Sequence, residues 1–360
     1  MKILYYVERW SVGGIESVVC NILRTLTKEE KISVTVAAHV VEDGKYTEQL
    51  KKMGVELVEL SGRIRHPSNA RLLKKLLGEG DYDVIHINAF HGMSLRYLRV
   101  AKACGVGVRI VHSHGAGLRK SPLVPLKLML SRLGRRWLGA ASVLIAVSEQ
   151  AGRFLFGKRD FTIIPNGIDA QKYAYSEEGR RRMREALGVG CEPLLGTVGR
   201  FSEEKNQAFL IKMLDACEDK SAKLLLVGDG ATLDAVRRDA EQRGLGERVI
   251  FTGAREDVGE LMSAMDVFLF PSTAEGFGIA AVEAAASGLT VIASEAIPSC
   301  ALIGKHTVLP LDSPSCWAEA ALKAASEVCD RAEGTEAVMQ AGLTAERTAQ
   351  AIIALYGGKL

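Results

Sequence analysis

Short apolar runs rich in β-branched residues recur along the chain, each followed by a stretch with helical spacing. In the first half they are Ile3–Val7, Ser33–Val40, Val55–Leu60, Val84–Ile87, Val108–His112 and Val143–Val147. In the second half they are Leu194–Val198, Lys223–Val227, Val249–Thr252, Val267–Phe270 and Thr290–Ala293. These runs are apolar without polar alternation, which predicts strands covered on both faces, as in parallel sheets with crossover helices. Between the two sets, Ile163-Ile164-Pro165-Asn166-Gly167 is a turn signal, followed by a charged helix at Glu177–Leu187 that Gly188 closes. A last helix is predicted at Thr344–Tyr356. The pattern predicts an α/β chain of two Rossmann-like, doubly wound domains facing a cleft.

Length agrees: 360 residues suit two cores of roughly 170–190 residues each. With 48% hydrophobic and 25% charged residues, the composition is globular and excludes collagen-like, disordered and disulfide-scaffold classes. Net charge is +3 but unevenly divided. Residues 1–170 carry 26 Lys/Arg against 15 Asp/Glu, or +11, and residues 171–360 carry 20 against 28, or −8. Between Asp83 and Glu149 there is no acidic residue, whereas ten Lys/Arg occur. The first half is therefore expected to face something anionic.

The seven cysteines form no C-x-x-C pair, which fits free thiols in a reducing compartment rather than a disulfide framework or zinc site. Glu8 and Arg9 interrupt the opening apolar run before a signal-peptide core can form. No run approaches the ~18 apolar residues of a transmembrane helix. A cytoplasmic protein is expected, with peripheral contact to the cytoplasmic membrane face.

Two doubly wound domains suggest a nucleotide, so each glycine-rich loop matters. A Walker A sequence is absent. Gly228-Asp229-Gly230 begins a dinucleotide fingerprint, but Leu233 stands at its third glycine position, so the loop reads as a structural turn. The stronger signal is Pro271-Ser272-Thr273-Ala274-Glu275-Gly276-Phe277-Gly278-Ile279, which follows a buried strand and opens a helix predicted at Phe277–Ser287. Gly276 and Gly278 leave room for a ligand to approach the backbone N–H groups at the helix start, where a phosphate is favoured. Glu275 lies in the loop and Glu283 further down the helix. Gly199-Arg200-Phe201-Ser202-Glu203-Glu204-Lys205 adds two cations just past the carboxyl end of another strand, able to neutralise a diphosphate.

These residues resemble those of the retaining GT-B glycosyltransferases of family 4, in particular the branch that builds bacterial exopolysaccharide and capsule. The resemblance runs over nearly the whole chain. It includes Gly13-Gly14-Ile15-Glu16, Pro165-Asn166-Gly167-Ile168-Asp169, Arg200 with Lys205, Gly228-Asp229-Gly230, Phe251-Thr252-Gly253 and the E-x7-E pair Glu275/Glu283. It implies an acceptor-binding domain over residues 1–168, a nucleotide-sugar-binding domain over 169–343, and a helix in 344–360 returning toward the first domain. It also implies roles. Arg200, Lys205 and the segment Gly276, Phe277, Gly278 and Ile279 would hold the donor diphosphate, which Gly13 and Gly14 would approach. Glu283 would hold the ribose, Arg255 would lie by the base, and Glu275 would lie against the donor sugar. One departure is Glu295-Ala296-Ile297-Pro298-Ser299-Cys300, which leaves the donor sugar's hydroxyl contacts unassigned.

The implied reaction transfers a sugar from a nucleotide-diphosphate sugar, UDP first among candidates, to a saccharide or polyprenyl-linked acceptor with retention at the anomeric carbon. With two cations and a helix end on the leaving group, no cofactor and no D-x-D-held metal is expected. His112 and His114, ending a strand in Val111-His112-Ser113-His114-Gly115, are the candidate catalytic histidines; His86 and His91 read as packing. Leu123, Leu126, Leu130, Leu133 and Trp137 fall on one helical face flanked by Arg119, Lys120, Lys127, Arg132, Arg135 and Arg136. This stretch, near 119–138, reads either as a basic amphipathic helix on an anionic leaflet or as an ordinary core-facing helix. A lipid-linked substrate, rather than nucleic acid, then accounts for the basic half. A GT-B UDP-sugar epimerase and a non-catalytic sugar-nucleotide-binding protein are the rival readings.

Overall fold

The computed structural model describes residues 1–11, 13–42, 44–63, 66–117, 124–327 and 330–357. It contains two compact units. One comprises Met1–Gly167 together with Thr344–Leu360, and the other Ile168–Leu343.

The first unit is built on a seven-stranded sheet: β1 (Lys2–Trp10), β2 (Ser33–Val41), β3 (Glu56–Glu59), β4 (Val84–Ala89), β5 (Val108–Ser113), β6 (Val143–Ala146) and β7 (Thr162–Ile163). Their order is β3-β2-β1-β4-β5-β6-β7, every neighbouring pair parallel. The second has six: β8 (Leu194–Val198), β9 (Lys223–Val227), β10 (Val249–Gly253), β11 (Val267–Phe270), β12 (Thr290–Ser294) and β13 (His306–Leu309). Their order is β10-β9-β8-β11-β12-β13, again all parallel.

The absence of alternation in the strands has a direct cause. In β9, Leu224 and Leu226 enter one core cluster with Phe209, Leu210 and Trp317, while Leu225 and Val227 enter another with Met262, Ala281 and Ala284. Both faces of the sheet are covered by helices, so successive side chains pointing opposite ways are all apolar. The strand β13 carries no such signature. It is an edge strand whose His306, Thr307 and Val308 are exposed, and its sequence does not read as a buried run.

Helix ends follow local chemistry. Ser148, Ser176, Ser313 and Thr344 each accept a first-turn backbone N–H with their hydroxyl oxygens. The last helix, Ala345–Leu355, packs on the helix Gly14–Leu26 of the first unit. There Thr348 Oγ1 donates to the Pro165 carbonyl at 2.9 Å. A Cβ on Gly167 would overlap the Thr344 backbone, so only glycine allows that approach.

The basic stretch differs from a single apolar stripe. Residues 118–123, which include Arg119, Lys120 and Leu123, lie outside the described residues. The helix runs Val124–Gly134 and tightens to a 3₁₀ turn at Arg135–Ala140, which rotates Trp137 onto the first unit's core. Arg135 is turned inward, donating to the Phe154 and Leu155 carbonyls. The helix packs through small residues: Ser131 Oγ accepts from Gly92 N at 2.8 Å, and Gly134 sits against the Gly92 backbone. Leu126, Met129 and Leu133 are left about half exposed, beside exposed Arg132 and Arg136.

Candidate functional site

In each sheet the strand order reverses at one point, and ligands of doubly wound sheets bind beyond the carboxyl ends of the strands there. In the second unit that point lies between β8 and β11. The loop after β8 carries Arg200 and Lys205, and the loop after β11 carries Glu275 to Gly278.

The two loops are tied together. Thr273 N donates to the Glu204 carbonyl at 2.7 Å, and Asn206 Nδ2 donates to the Pro271 carbonyl at 3.2 Å. Asn206 adopts a left-handed conformation (φ 56°), which Asn tolerates better than most residues. Across this junction Lys205 Nζ forms an ion pair with Glu275, and the ammonium also stands 5.1 Å from the centroid of the Phe270 ring. The side chains of Lys205 and Glu275 are 27% and 12% exposed, so their charges are partly withdrawn from water but reachable. Arg200 is exposed at the head of the first loop, whose backbone carbonyl accepts from Gln207 Nε2 at 3.0 Å.

The predicted helix at Phe277–Ser287 begins later, at Ile279, and ends at Ala286. Gly278 is its N-cap, with φ 94° and no side-chain hydrogen bond to the first turn. An added Cβ there would lie 3.1 Å from the Phe270 ring and 3.3 Å from Ile297. Phe277 is buried and anchors the turn, while Gly276 and Ile279 are half-buried. An uncapped helix start beside Lys205 is suited to an anion. Glu283 is the one ionisable residue of this otherwise apolar helix, and its Oε1 accepts from Tyr173 Oη at 2.7 Å. Tyr173 carried no signal in the sequence, because its partner lies 110 residues away.

Gly228-Asp229-Gly230 packs as a structural turn. A Cβ on Gly228 would strike the Gly199 carbonyl, one on Gly230 the Phe201 carbonyl, and Phe201 N donates to Asp229 O at 2.9 Å. The tight turn thus supports the Arg200 loop. Arg255, past the end of β10, is partly exposed and held by both carboxylate oxygens of Asp257, which raises the guanidinium pKa and lowers that of the carboxyl.

In the first unit the order reverses between β1 and β4. Gly13, in extended conformation, caps the helix Gly14–Leu26 beyond β1, and Gly14 is exposed with open space around it. Past β4, His91 Nε2 lies 3.2 Å from Glu8 and Ser94 Oγ donates to Glu8 at 2.6 Å. Burial raises the Glu8 pKa, but the hydrogen bonds and charge of His91 and the bond from Ser94 outweigh it and leave it lowered.

His112 and His114, at the end of β5 and just beyond, are buried with ring centroids 4.0 Å apart. His112 Nδ1 meets His86 Nε2 at 3.2 Å, and His114 Nε2 meets Asn88 Oδ1 at 2.9 Å. Burial drives His86 and His114 down to about 3, and holds His112 well below the ordinary imidazole value with further help from His114 and His86. All three rings are neutral near pH 7 and suited to hydrogen bonding rather than proton transfer. His86, read as packing from the sequence, is central to this group.

One D-x-D spacing does occur in the chain, at Asp81-Tyr82-Asp83. It lies at the amino end of β4, the opposite end of the first unit's sheet from His112 and His114, where Asp83 Oδ2 accepts from Lys2 N at 2.7 Å and Asp81 ends a helix.

Two doubly wound units with these loops define a GT-B glycosyltransferase architecture. Residues 12–172 match the sequence profile of glycosyltransferase family 4, and residues 192–327 that of glycosyl transferases group 1. The chain is 31% identical over 370 residues to a Bacillus subtilis (strain 168) protein named as the glycosyltransferase EpsF, covering 99% of this chain and 96% of that one. It is 28% identical to the GDP-mannose-dependent alpha-(1-6)-phosphatidylinositol monomannoside mannosyltransferase of Mycolicibacterium smegmatis, over 81% of this chain and 80% of that one. Anabaena Alr3699/HepE, solved in complex with UDP, superposes with a TM-score of 0.82 at 23% identity and covers 98% of both chains. The chain belongs to the family 4 glycosyltransferases.

Proposed function

We propose that this glycosyltransferase moves a sugar, with retention, from a nucleotide-diphosphate sugar to a saccharide or polyprenyl-linked acceptor in the synthesis of a bacterial cell-surface polysaccharide. The observation that carries this reading is the pairing of Lys205 with Glu275 beside the uncapped start of the helix Ile279–Ala286, at the second unit's switch point. UDP-sugars are the first donors to test, and GDP-mannose, named for the mycobacterial relative, is the competing one.

The chemical difficulty is charge separation: the anomeric C–O bond to the diphosphate breaks as an oxocarbenium-like centre forms. Arg200, Lys205 and the helix start offset the diphosphate's negative charge, while Glu275 offsets the positive charge on the sugar. The acceptor oxygen bonds to the anomeric carbon from the face the diphosphate leaves, and its proton passes to the departing phosphate oxygen. Because protein cations serve the leaving group, the step requires no metal or cofactor. Isolation of a glycosyl adduct on Glu275 would sink this version of the step.

A thermal-shift panel of UDP, GDP and their sugars tests the reading. A ligand at 100 times its Kd stabilises by about 2.7 kcal/mol, and Arg200→Ala and Lys205→Ala are each expected to abolish that shift. Normal nucleotide binding by both variants would overturn the diphosphate assignment. Incubation with a UDP-sugar alone separates transfer from epimerisation, since an epimerase needs no acceptor.

A second reading concerns place. Leu126, Met129 and Leu133, exposed beside Arg132 and Arg136, support peripheral contact with an anionic cytoplasmic membrane face, where a lipid-linked acceptor would lie. Among the described residues no helix is long and apolar enough to cross a membrane. Flotation with anionic vesicles should fall on Leu126→Ser/Met129→Ser/Leu133→Ser; flotation independent of both lipid charge and these residues would remove this reading.

A further inference from the structure

A run of buried hydrogen bonds connects the last helix to the candidate histidines. Tyr5 Oη and Tyr356 Oη are 2.6 Å apart, Tyr356 Oη and His86 Nδ1 3.1 Å, and His86 Nε2 and His112 Nδ1 3.2 Å. Tyr5 stacks on the His86 ring at 4.6 Å, and all four residues are at most 4% exposed. Among the described residues, His112 Nε2 and His114 Nδ1 are buried without a hydrogen-bond partner.

Two donor senses are open to the run, and they are unequal. If Tyr5 donates to Tyr356, Tyr356 to His86 Nδ1, and His86 Nε2–H to His112 Nδ1, every hydrogen is used except the one on His112 Nε2. In the reverse sense the Tyr5 hydroxyl hydrogen has no acceptor and His112 Nε2 has no donor, leaving two buried groups unmet. Each sense leaves one buried donor unmet, but the reverse also leaves the His112 Nε2 lone pair unmet; each such group costs free energy, so the first sense prevails. His114 is set independently: Asn88 Nδ2 donates to the Tyr6 carbonyl at 3.2 Å, so its Oδ1 accepts from His114 Nε2–H. That leaves the Nδ1 lone pair of His114 unused.

We infer that Tyr356, acting through His86, is a positioning residue that holds His112 as its Nε2–H tautomer, so that His112 offers a donor and His114 an acceptor to a saccharide hydroxyl. A hydroxyl is the group that accepts from one ring and donates to the other, and both rings are neutral, so the pair recognises a sugar rather than a phosphate. The saccharide assignment rests on the transferase reading above; the tautomer assignment does not.

The test uses ¹⁵N-histidine-labelled full-length protein and side-chain ¹⁵N–¹H correlation spectra without ligand. The expected spectrum shows His112 protonated at Nε2 and His114 protonated at Nε2; a His112 protonated at Nδ1 overturns the inference. Tyr356→Phe keeps the ring and removes the hydroxyl, and is expected to give His112 a second tautomer and lower kcat/KM about tenfold, the scale of one hydrogen bond. An unchanged His112 tautomer in this variant overturns the role of Tyr356. Should the variant not fold, the wild-type spectrum alone decides the donor sense. Should no nucleotide sugar be turned over, the transferase reading fails while the tautomers are still read directly.

Discussion

Lys205 and Glu275, 70 residues apart in the chain, meet as an ion pair between the loops that follow β8 and β11. The pair places the proposed diphosphate cation and the proposed sugar-facing carboxylate in contact. On that proposal an incoming diphosphate competes with Glu275 for the Lys205 ammonium, and the carboxylate opposes nucleotide binding on charge grounds even as it serves the transition state.

That opposition gives Glu275→Gln an unusual expected signature. Removing the negative charge should tighten UDP or GDP binding by up to about tenfold, while transfer falls by about 10²–10⁴. Calorimetric titration and product formation read the two effects separately. Weaker nucleotide binding by the variant would contradict the geometry.

The same pair should contribute to stability. Lys205→Ala leaves a largely buried carboxylate without its cation and is expected to cost about 1–3 kcal/mol, between exposed and buried pairs. Glu275→Gln on that background should recover most of the loss. Denaturant melts over a double-mutant cycle measure the coupling.

Gly278 is expected to resist substitution. Its φ of 94° is costly for any L side chain, and the Phe270 ring stands 3.1 Å from an added Cβ. Gly278→Ala should destabilise by about 1–3 kcal/mol and lower Tm by several degrees. An unchanged Tm would mean that the turn relaxes without strain.

Buried histidines give a pH dependence of definite sign. His39 is driven down to about 4 by burial, His86 and His114 to about 3, and His112 lies well below its ordinary value. Their unfolded values lie near 6.5, so the unfolded chain binds more protons below that pH. Stability is therefore fully present above about pH 6.5 and lost as pH falls toward 3, with each such histidine adding a slope of about 1.4 kcal/mol per pH unit. Urea melts at pH 7.5, 6, 5 and 4 check this, and a constant midpoint down to pH 4 would refute it.

What could be read from the sequence followed what the chain repeats locally. Strands such as Lys223–Val227 declare themselves because both faces are buried, and the Pro271–Ile279 loop declares itself through its glycines and its place after β11. The helix start shifted by two residues, from Phe277 to Ile279, because Gly278 takes a left-handed conformation. What escaped was chemistry made by distance in sequence. Tyr173 reaches Glu283 and Tyr356 reaches His86 across 110 and 270 residues, and no spacing rule relates them. The amphipathic stripe ending at Trp137 failed for a local reason: the 3₁₀ turn from Arg135 changes the helical phase.

The return of the last helix to the first unit also orders events during synthesis. The second unit, Ile168–Leu343, is one uninterrupted stretch, whereas the first is split around it. A growing chain can therefore complete the second unit while the first still waits for its closing helix. Until Tyr356 clears the ribosome, Tyr5 and His86 lack the hydroxyl that joins them. The proposed histidine alignment would then arise only after the whole of the second unit has been made, and a nascent chain could bind nucleotide before it could align a sugar.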